Sequence, residues 1–294
     1  MDENEWLADR FEEHRTHLRA VAYRMLGSLT EADDAVQDAW LRLSRSGAGE
    51  VENLGGWLTT TVARVCLNLL RARKVRREES LEVRLPDPII SRDGALQPEE
   101  EALLDDSVGL ALLVVLDTLA PAERLVFVLH DVFGLPFEEI APMVERTPAA
   151  ARQLASRGRR RVKGATASAL DPDPSRQRAV VDAFFAAARA GDFAGLVAVL
   201  DPNVVLRADF GGKRPGASRV IRGVAAVAEN ARPLPGAQLH PVLVNGTPGV
   251  IIVVRGRPFA IMGFTVAGGR IVEIDAIADP ERVHRIAAAV LNDE

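Results

Sequence analysis

Cysteine is nearly absent: Cys66 is the only one in 294 residues. That excludes an intrachain disulfide and a cysteine-rich metal centre, and the apolar flanks Val65 and Leu67 point to a buried thiol. No apolar run approaches the ~18 residues a membrane helix needs, and the acidic N-terminal stretch has no signal-peptide pattern. A cytoplasmic protein with no membrane partner is expected. There is no internal repeat, and no strong excess of one charge. The net charge of −5, with 48% hydrophobic and 26% charged residues, is that of an ordinary globular chain. The length allows two or three domains with real cores.

What the small net charge conceals is segregation. Arg64 to Arg77 contains six basic residues and no acid, whereas Asp2–Glu13 and Glu99–Asp106 are mostly acidic. An acidic chain with local basic footprints is compatible with nucleic-acid binding. The stretch from Arg146 to Lys163 is the sharpest footprint, with seven Lys or Arg and no acid. Thr147 suits an N-cap and Pro148 the first helical position, so the segment reads as the last helix of a helix-turn-helix. On it Arg152, Gln153, Ser156, Arg157 and Arg160 recur along one face, with Arg159 beside them. Arg152 and Gln153 suit base edges in a major groove, and the later arginines suit phosphates. Ala149, Ala150 and Leu154 are expected to pack inward. Pro142 should shorten the supporting helix, and Gly158 costs helix stability of roughly 1 kcal/mol.

Residues 5–77 have helical periodicity through Phe11, Leu18, Val21 and Met25. Asp33, Asp34, Gln37, Asp38 and Leu41 follow at helical spacing as a polar stripe, opposite Ala32, Ala35, Val36, Ala39 and Leu43. The next amphipathic segment, from Trp57, turns basic and presents Arg64, Asn68, Arg71 and Arg73. A basic helix beside the Ser- and Gly-containing Ser44–Asn53 loop suits an opened strand with an extruded base. Trp40 and Trp57 are expected in the core.

These residues carry a resemblance. Arg24-Met-Leu-Gly-Ser-Leu-Thr-Glu-Ala-Asp-Asp-Ala-Val-Gln-Asp-Ala-Trp40 resembles the polymerase-binding segment of bacterial extracytoplasmic-function sigma factors. Trp57-Leu58, Ala63-Arg64 and Asn68-Leu-Leu-Arg71 resemble the promoter −10 segment of that family. Leu119-Ala-Pro-Ala-Glu-Arg124, Phe127, Leu129, Phe133-Gly134, Glu139-Ile140-Ala141 and the basic helix resemble its −35-binding region. The resemblance implies core RNA polymerase as partner, through the clamp of its large subunit and its flap, and promoter DNA at the −35 and −10 elements. It implies roles in polymerase binding for the α-helical acidic stripe, in −10 binding for Arg64–Arg73, and in −35 binding for Arg152–Arg160.

A Pro-containing joint, Asp171-Pro172-Asp173-Pro174, precedes a third block with an apolar helix, Val180–Ala190. Strand-like runs follow at Val204–Arg207, Val242–Val244, Val250–Arg255, Phe259–Val266 and Ile271–Ile277, with turns at Asn245-Gly246, Gly256 and Gly268-Gly269. The segment Ala190–Asp209 resembles the SnoaL-like domain, a cone of the nuclear-transport-factor type. Together with the sigma blocks it resembles the SigJ-like subgroup. Leu85-Pro-Asp-Pro88 resembles that subgroup's Trp-Leu-Pro-Glu-Pro linker motif, with Arg84 in place of tryptophan. The stretch Asp209-Phe210-Gly211-Gly212-Lys213-Arg214 resembles its Asp-Gly-Gly-Gly-Arg loop, and Asp279-Pro280-Glu-Arg-Val283 loosely its Asn-Pro-Asp-Lys-Leu tail. In that subgroup the fused domain implies control in cis.

The expected multidomain organisation is therefore two all-α domains followed by an α+β cone: 1–77 for polymerase and −10 binding, 78–106 as linker, 107–168 as helix-turn-helix, and 175–294 as regulatory domain. Asp209, His240 and Asp275 are the only candidates for proton chemistry and no pair is evident, so no enzyme activity, cofactor or metal is expected. A small-molecule ligand in an apolar pocket near Phe184, Phe185, Phe259 and Phe264 is a plausible sensory input. The alternative is a one-component DNA-binding regulator with a ligand-sensing C-terminal domain; a third class is a SnoaL-type cyclase or isomerase with a helical extension.

Overall fold

The computed structural model describes residues 3–46, 53–77, 84–92, 110–165, 171–211, 218–232 and 234–291. Of the readings above, most of the Ser44–Asn53 loop, Glu99–Asp106, and Gly212, Lys213 and Arg214 lie outside the described residues. The chain divides into two units. One holds both helical blocks, and the other holds the residue 81–96 segment with the C-terminal block.

In the helical unit, α1 (Glu3–Leu26), α2 (Leu29–Ser46) and α3 (Leu54–Arg77) pack on one another. Gly27, at φ 67°, ends α1 with its N–H on the Tyr23 carbonyl, a turn that favours glycine. The apolar residues predicted for the core are there: Leu18, Val21 and Met25 of α1, and Ala32, Ala35, Val36, Ala39 and Leu43 of α2. Cys66 is buried with them, and burial pushes its thiol up to about 12. Trp40 is half-buried with its ring 5.1 Å from that of Phe11.

After α4 (Leu110–Asp117), α5 (Pro121–Phe127) runs into a π-helical turn, Val128–Val132. A four-residue α6 (Phe137–Ile140) then gives way to a 3₁₀ turn at Ala141–Met143, where Pro142 prevents the helix from continuing. Thr147 caps α7 (Pro148–Ala165), accepting from the Ala150 N–H at 3.2 Å. The buried side of α7 is Ala151, Ala155 and Gly158, not Ala149 and Leu154 as expected. Ala149 is exposed and Ala150 and Leu154 are half-buried, so the inward face sits about a third of a turn from the predicted one. Gly158 has a packing reason: a Cβ there would lie 3.3 Å from the Phe127 Cβ, so α7 approaches α5 more closely than alanine comfortably allows.

The second unit is built on a seven-stranded sheet. β1 (Ile90–Ser91), β2 (Leu200–Asp209), β3 (Arg219–Arg222), β4 (Ala237–Val244), β5 (Thr247–Val254), β6 (Arg257–Ala267) and β7 (Arg270–Ile277) lie in the order β1-β4-β5-β6-β7-β2-β3. All neighbours are antiparallel except β2 and β7. The β4–β5, β5–β6 and β6–β7 hairpins turn through Asn245-Gly246, Arg255-Gly256 and Gly268-Gly269, all with positive φ, as two-residue I′ turns require. Helix α8 (Pro174–Ala190) is capped by Asp173, and α9 (Phe193–Val199) by Asp192. They join α10 (Val224–Asn230) over the concave face, where Val181, Phe184, Leu196, Val250, Phe264 and Ile274 form the apolar core. The unit closes with α11 (Pro280–Leu291). No described helix is long and apolar enough to cross a membrane.

Candidate functional site

The exposed face of α7 carries Arg152, Gln153, Ser156, Arg157 and Arg160, with Arg159 partly covered. Several of these cations lean on acids of the same helical block. Arg152 meets Glu138 at 2.8 Å, Arg157 meets Glu123 at 3.0 Å, and Arg159 meets Asp131 at 2.6 Å. The Arg152 guanidinium also lies over the Phe137 ring. The Arg152–Glu138 pair is exposed on both sides and contributes only about 0–1 kcal/mol, whereas Glu123, which Arg157 meets, is buried.

On α2, Asp34, Gln37 and Leu41 are exposed along one side, with Leu41 an exposed large apolar residue. Asp33 is tied to Arg19 of α1 at 2.6 Å, and Asp38 to Arg42 one turn on. On α3, Arg64, Asn68 and Arg71 share an exposed face. Arg73 stands apart from them. It donates to the Leu26 carbonyl at 2.9 Å and pairs with Glu31, fastening α3 to the corner between α1 and α2.

Arg124 was not singled out by sequence reasoning for any structural duty. It is 1% exposed. Its Nε and Nη2 donate to the Arg24 carbonyl at 3.2 and 3.1 Å, and Nη1 donates to Asp117 at 3.0 Å. Nearby, Arg24 lies over the Phe133 ring, and His17 meets the same ring edge-on. Burial, with His14 and Arg24 nearby, holds the His17 imidazole below its usual value. A guanidinium and an aromatic ring thus join the two helical blocks.

In the second unit the segment from Leu85 to Ser91 is buried on the C-terminal block. Ile90 and Ser91 pair antiparallel with Val244 and Leu243 as the edge strand β1. Asn245 completes the ladder, its Oδ1 accepting from the Ile89 N–H at 2.9 Å and its own N–H donating to the Ile89 carbonyl at 2.8 Å. At the other end Asp209 accepts from the Leu85 N–H at 2.8 Å. Arg282 of α11 closes the site: it donates to Asp87 at 2.7 Å, to Asp209 at 2.5 Å and to the Leu85 carbonyl at 2.7 Å. Burial pulls the Arg282 guanidinium down, but Asp87 and Asp209 outweigh that and the net shift is upward. Gly211 is required here twice over. Its φ is 72°, and a Cβ would collide with the Asp279 carboxylate. Asp279 itself caps α11, accepting from the Arg282 N–H at 2.9 Å with Pro280 at the first helical position. Motif resemblance pointed to Asp209, Gly211, Asp279 and Pro280; Asp87 and Arg282 lie inside the linker and tail segments it marked without being given a role, and Asn245 was read only as a turn residue.

The three candidates for proton chemistry do not converge. Asp209 belongs to the linker site just described. Asp275 is buried on the sheet face opposite Ile274 and Ala276, and pairs with Arg207 at 3.1 Å; Glu273 takes the other Arg207 nitrogen at 2.9 Å. Neither Asp209, Asp275 nor His240 lines the concave cavity of the sheet, which has a volume of about 380 Å³. Burial, opposed by Arg207 and assisted by Glu273, pushes the Asp275 carboxyl up to about 6. The folded chain therefore holds this proton more tightly than the unfolded chain, whose ordinary value is 3.8. The resulting stabilisation is full below the unfolded value and is lost as pH rises through the folded one. Wild type should lose stability relative to Asp275→Asn between about pH 4 and 6, a difference that denaturant midpoints at the two ends of that range will measure.

Comparison with known proteins accounts for this arrangement. Residues 10–76 match the Sigma-70 region 2 family and residues 109–162 the Sigma-70 region 4 family. The chain is 38% identical over 288 residues to the ECF RNA polymerase sigma factor SigJ of Mycobacterium tuberculosis, covering 92% of this chain and 91% of that one. It is 32% identical over 290 residues, 98% of each chain, to the probable ECF RNA polymerase sigma factor SigI of the same organism. The crystal structure of M. tuberculosis SigJ superposes with a TM-score of 0.73 at 33% identity, covering 94% of this chain and 97% of that one. With two sigma regions in order and an α+β domain behind them, the chain belongs to the ECF RNA polymerase sigma factor family.

Proposed function

We propose that this sigma factor divides its work among the faces described above, and that the C-terminal domain sets its output in cis by holding the linker. Asp33, Asp34, Gln37, Asp38 and Leu41 dock on the clamp of the large polymerase subunit, and the region 4 block lies at the flap. Arg64, Asn68 and Arg71 hold the opened −10 strand, with Arg73 supporting them through α3. The α7 face reads the −35 element in the major groove. This work places the chain with the polymerase in the cytoplasm. It is no enzyme on this reading, since Asp209, Asp275 and His240 stand away from the cavity.

The observation that carries the regulatory part is the uptake of Leu85–Ser91, part of the stretch that joins the two sigma regions, into the C-terminal sheet and the Arg282 ion pairs. A domain that grips the linker controls how far apart the two DNA-reading blocks can move. Asp209, Gly211, Asp279 and Pro280 form the gripping surface. A tethered partner acts at an effective concentration near the millimolar range, so this interface stays populated without high intrinsic affinity.

Three outcomes are expected. Asp34→Lys with Asp38→Lys will weaken capture of core polymerase while leaving helix content unchanged, because exposed charge changes cost under ~0.5 kcal/mol; an unaffected pull-down overturns the docking face. Arg152→Ala will relax base preference at one or two −35 positions, each by about 1–3 kcal/mol, whereas Arg160→Ala will depress all promoters alike. A promoter library read with both variants distinguishes them. A strong footprint on duplex DNA without polymerase would instead favour a one-component regulator.

A further inference from the structure

The concave cavity of the C-terminal domain has a chemistry of its own. Its walls are apolar: Phe184, Phe185, Leu206, Ile252 and Met262 line it, and its volume of about 380 Å³ lies within the usual range for small-molecule sites. At its exposed side stand Leu234 and Phe259, two of the exposed large apolar residues of the chain. The lining also includes Asn230 and two exposed arginines, Arg189 and Arg232. Among the described residues that line the cavity, none is acidic and both ionisable ones are arginines. Each arginine is braced by its own helix end: Arg189 Nε donates to the Phe185 carbonyl at 3.3 Å, and Arg232 Nε to the Glu229 carbonyl at 3.2 Å. A deep apolar pocket rimmed by two braced cations complements an apolar tail with one anionic head.

We infer that this cavity binds an amphipathic monocarboxylate, with its hydrocarbon body among the phenylalanines and its carboxylate at Arg189 and Arg232. The inference deepens the reading of the C-terminal domain as a regulator, because the cavity wall is continuous with the linker site. Phe210 and Ala278 line the cavity; their chain neighbours are Asp209, which accepts from the Leu85 N–H, and Asp279, which caps the helix that carries Arg282. The Ala278 N–H donates to the Asp209 carbonyl at 2.7 Å, so the two segments move together. A ligand that shifts Phe210 or Ala278 therefore bears directly on the linker.

The test is calorimetric titration of the full chain, without polymerase, using three probes that share one tail: decanoate, 1-decanol and decylammonium, all below micelle-forming concentration. Decanoate should bind about tenfold tighter than decanol, which corresponds to ~1.4 kcal/mol, and decylammonium weakest of the three. Arg189→Gln with Arg232→Gln, both at exposed positions, should erase the preference for the acid while leaving decanol binding unchanged. Ala276→Phe, which fills the cavity from β7, should abolish binding of all three, and its circular dichroism and melting curve verify that it folds. Equal affinity for decanoate and decanol, or decanoate binding that survives the double arginine change, overturns the inference. Binding is read without transcription, so failure here leaves the linker reading standing, and failure of the linker reading leaves a binding result intact.

Discussion

Replacing Arg282 with methionine will free the Leu85–Ser91 segment and destabilise the C-terminal unit by about 3–5 kcal/mol, the usual cost of breaking a buried ion pair from one side. The size follows from what remains behind. Asp209 is 1% exposed and Asp87 is 6% exposed, and both lose their main counter-charge while the Leu85 carbonyl loses its donor. Arg285, 3.3 Å from Asp87, offers partial relief on that side only. Methionine keeps most of the volume, so the loss is electrostatic rather than a cavity. Hydrogen exchange should quicken at the Ile89 amide, which bonds to Asn245, under native conditions in which the apolar core around Phe264 is still the slowest part of the unit to exchange. Unchanged exchange at Ile89 would show that Arg282 does not hold the linker.

Replacing Arg124 with methionine will have the second large effect, this time in the helical unit. Three hydrogen bonds, one of them the ion pair to Asp117, disappear from a site with almost no solvent, at a cost of about 3 kcal/mol. The melting midpoint should fall by roughly 5–10 °C. Helix content should hold below the transition, because the apolar faces of α1, α2 and α3 are untouched. There is a functional consequence. Promoter elements centred at −35 and −10 lie about 25 base pairs apart, or roughly 85 Å at ~3.4 Å per base pair. A compact unit of this size has a radius of gyration of only about 14 Å. On the proposed reading the two helical blocks part to reach both elements at once, and the Arg124 bonds are among those that parting breaks. Arg124→Met should raise the fraction of separated blocks, read as a longer distance between spin labels on α2 and α7; an unaltered distance distribution with an unaltered melt would remove Arg124 from this role.

Much of this was written in local sequence. The stripes on α2 and α3 and the basic face of α7 follow from helical spacing, and four of the five strand-like runs are bounded by the glycine-containing turns that form their hairpins. What stayed hidden depends on partners far along the chain. Ile90 and Ser91, next to Pro86 and Pro88, read as linker; they become a strand only because Val244 and Leu243 offer an open edge. β3, four mostly exposed residues, has no alternation strong enough to announce it. Arg73 looks like a DNA contact until Glu31 and the Leu26 carbonyl are found beside it. The inward face of α7 was misplaced by about a third of a turn, because its phase is set by close packing on Phe127 at Gly158 rather than by its few apolar residues.

The helical blocks carry a sigma factor's faces, and the C-terminal domain is proposed to act through the linker. Both meet in run-off transcription with purified core polymerase on the chain's own upstream region, comparing wild type with Arg282→Met at matched core occupancy. The expected result is a discrete promoter-dependent transcript with wild type and an output changed several-fold by Arg282→Met, with polymerase capture equal for the two. No transcript from either, or identical transcript levels from both, would contradict it.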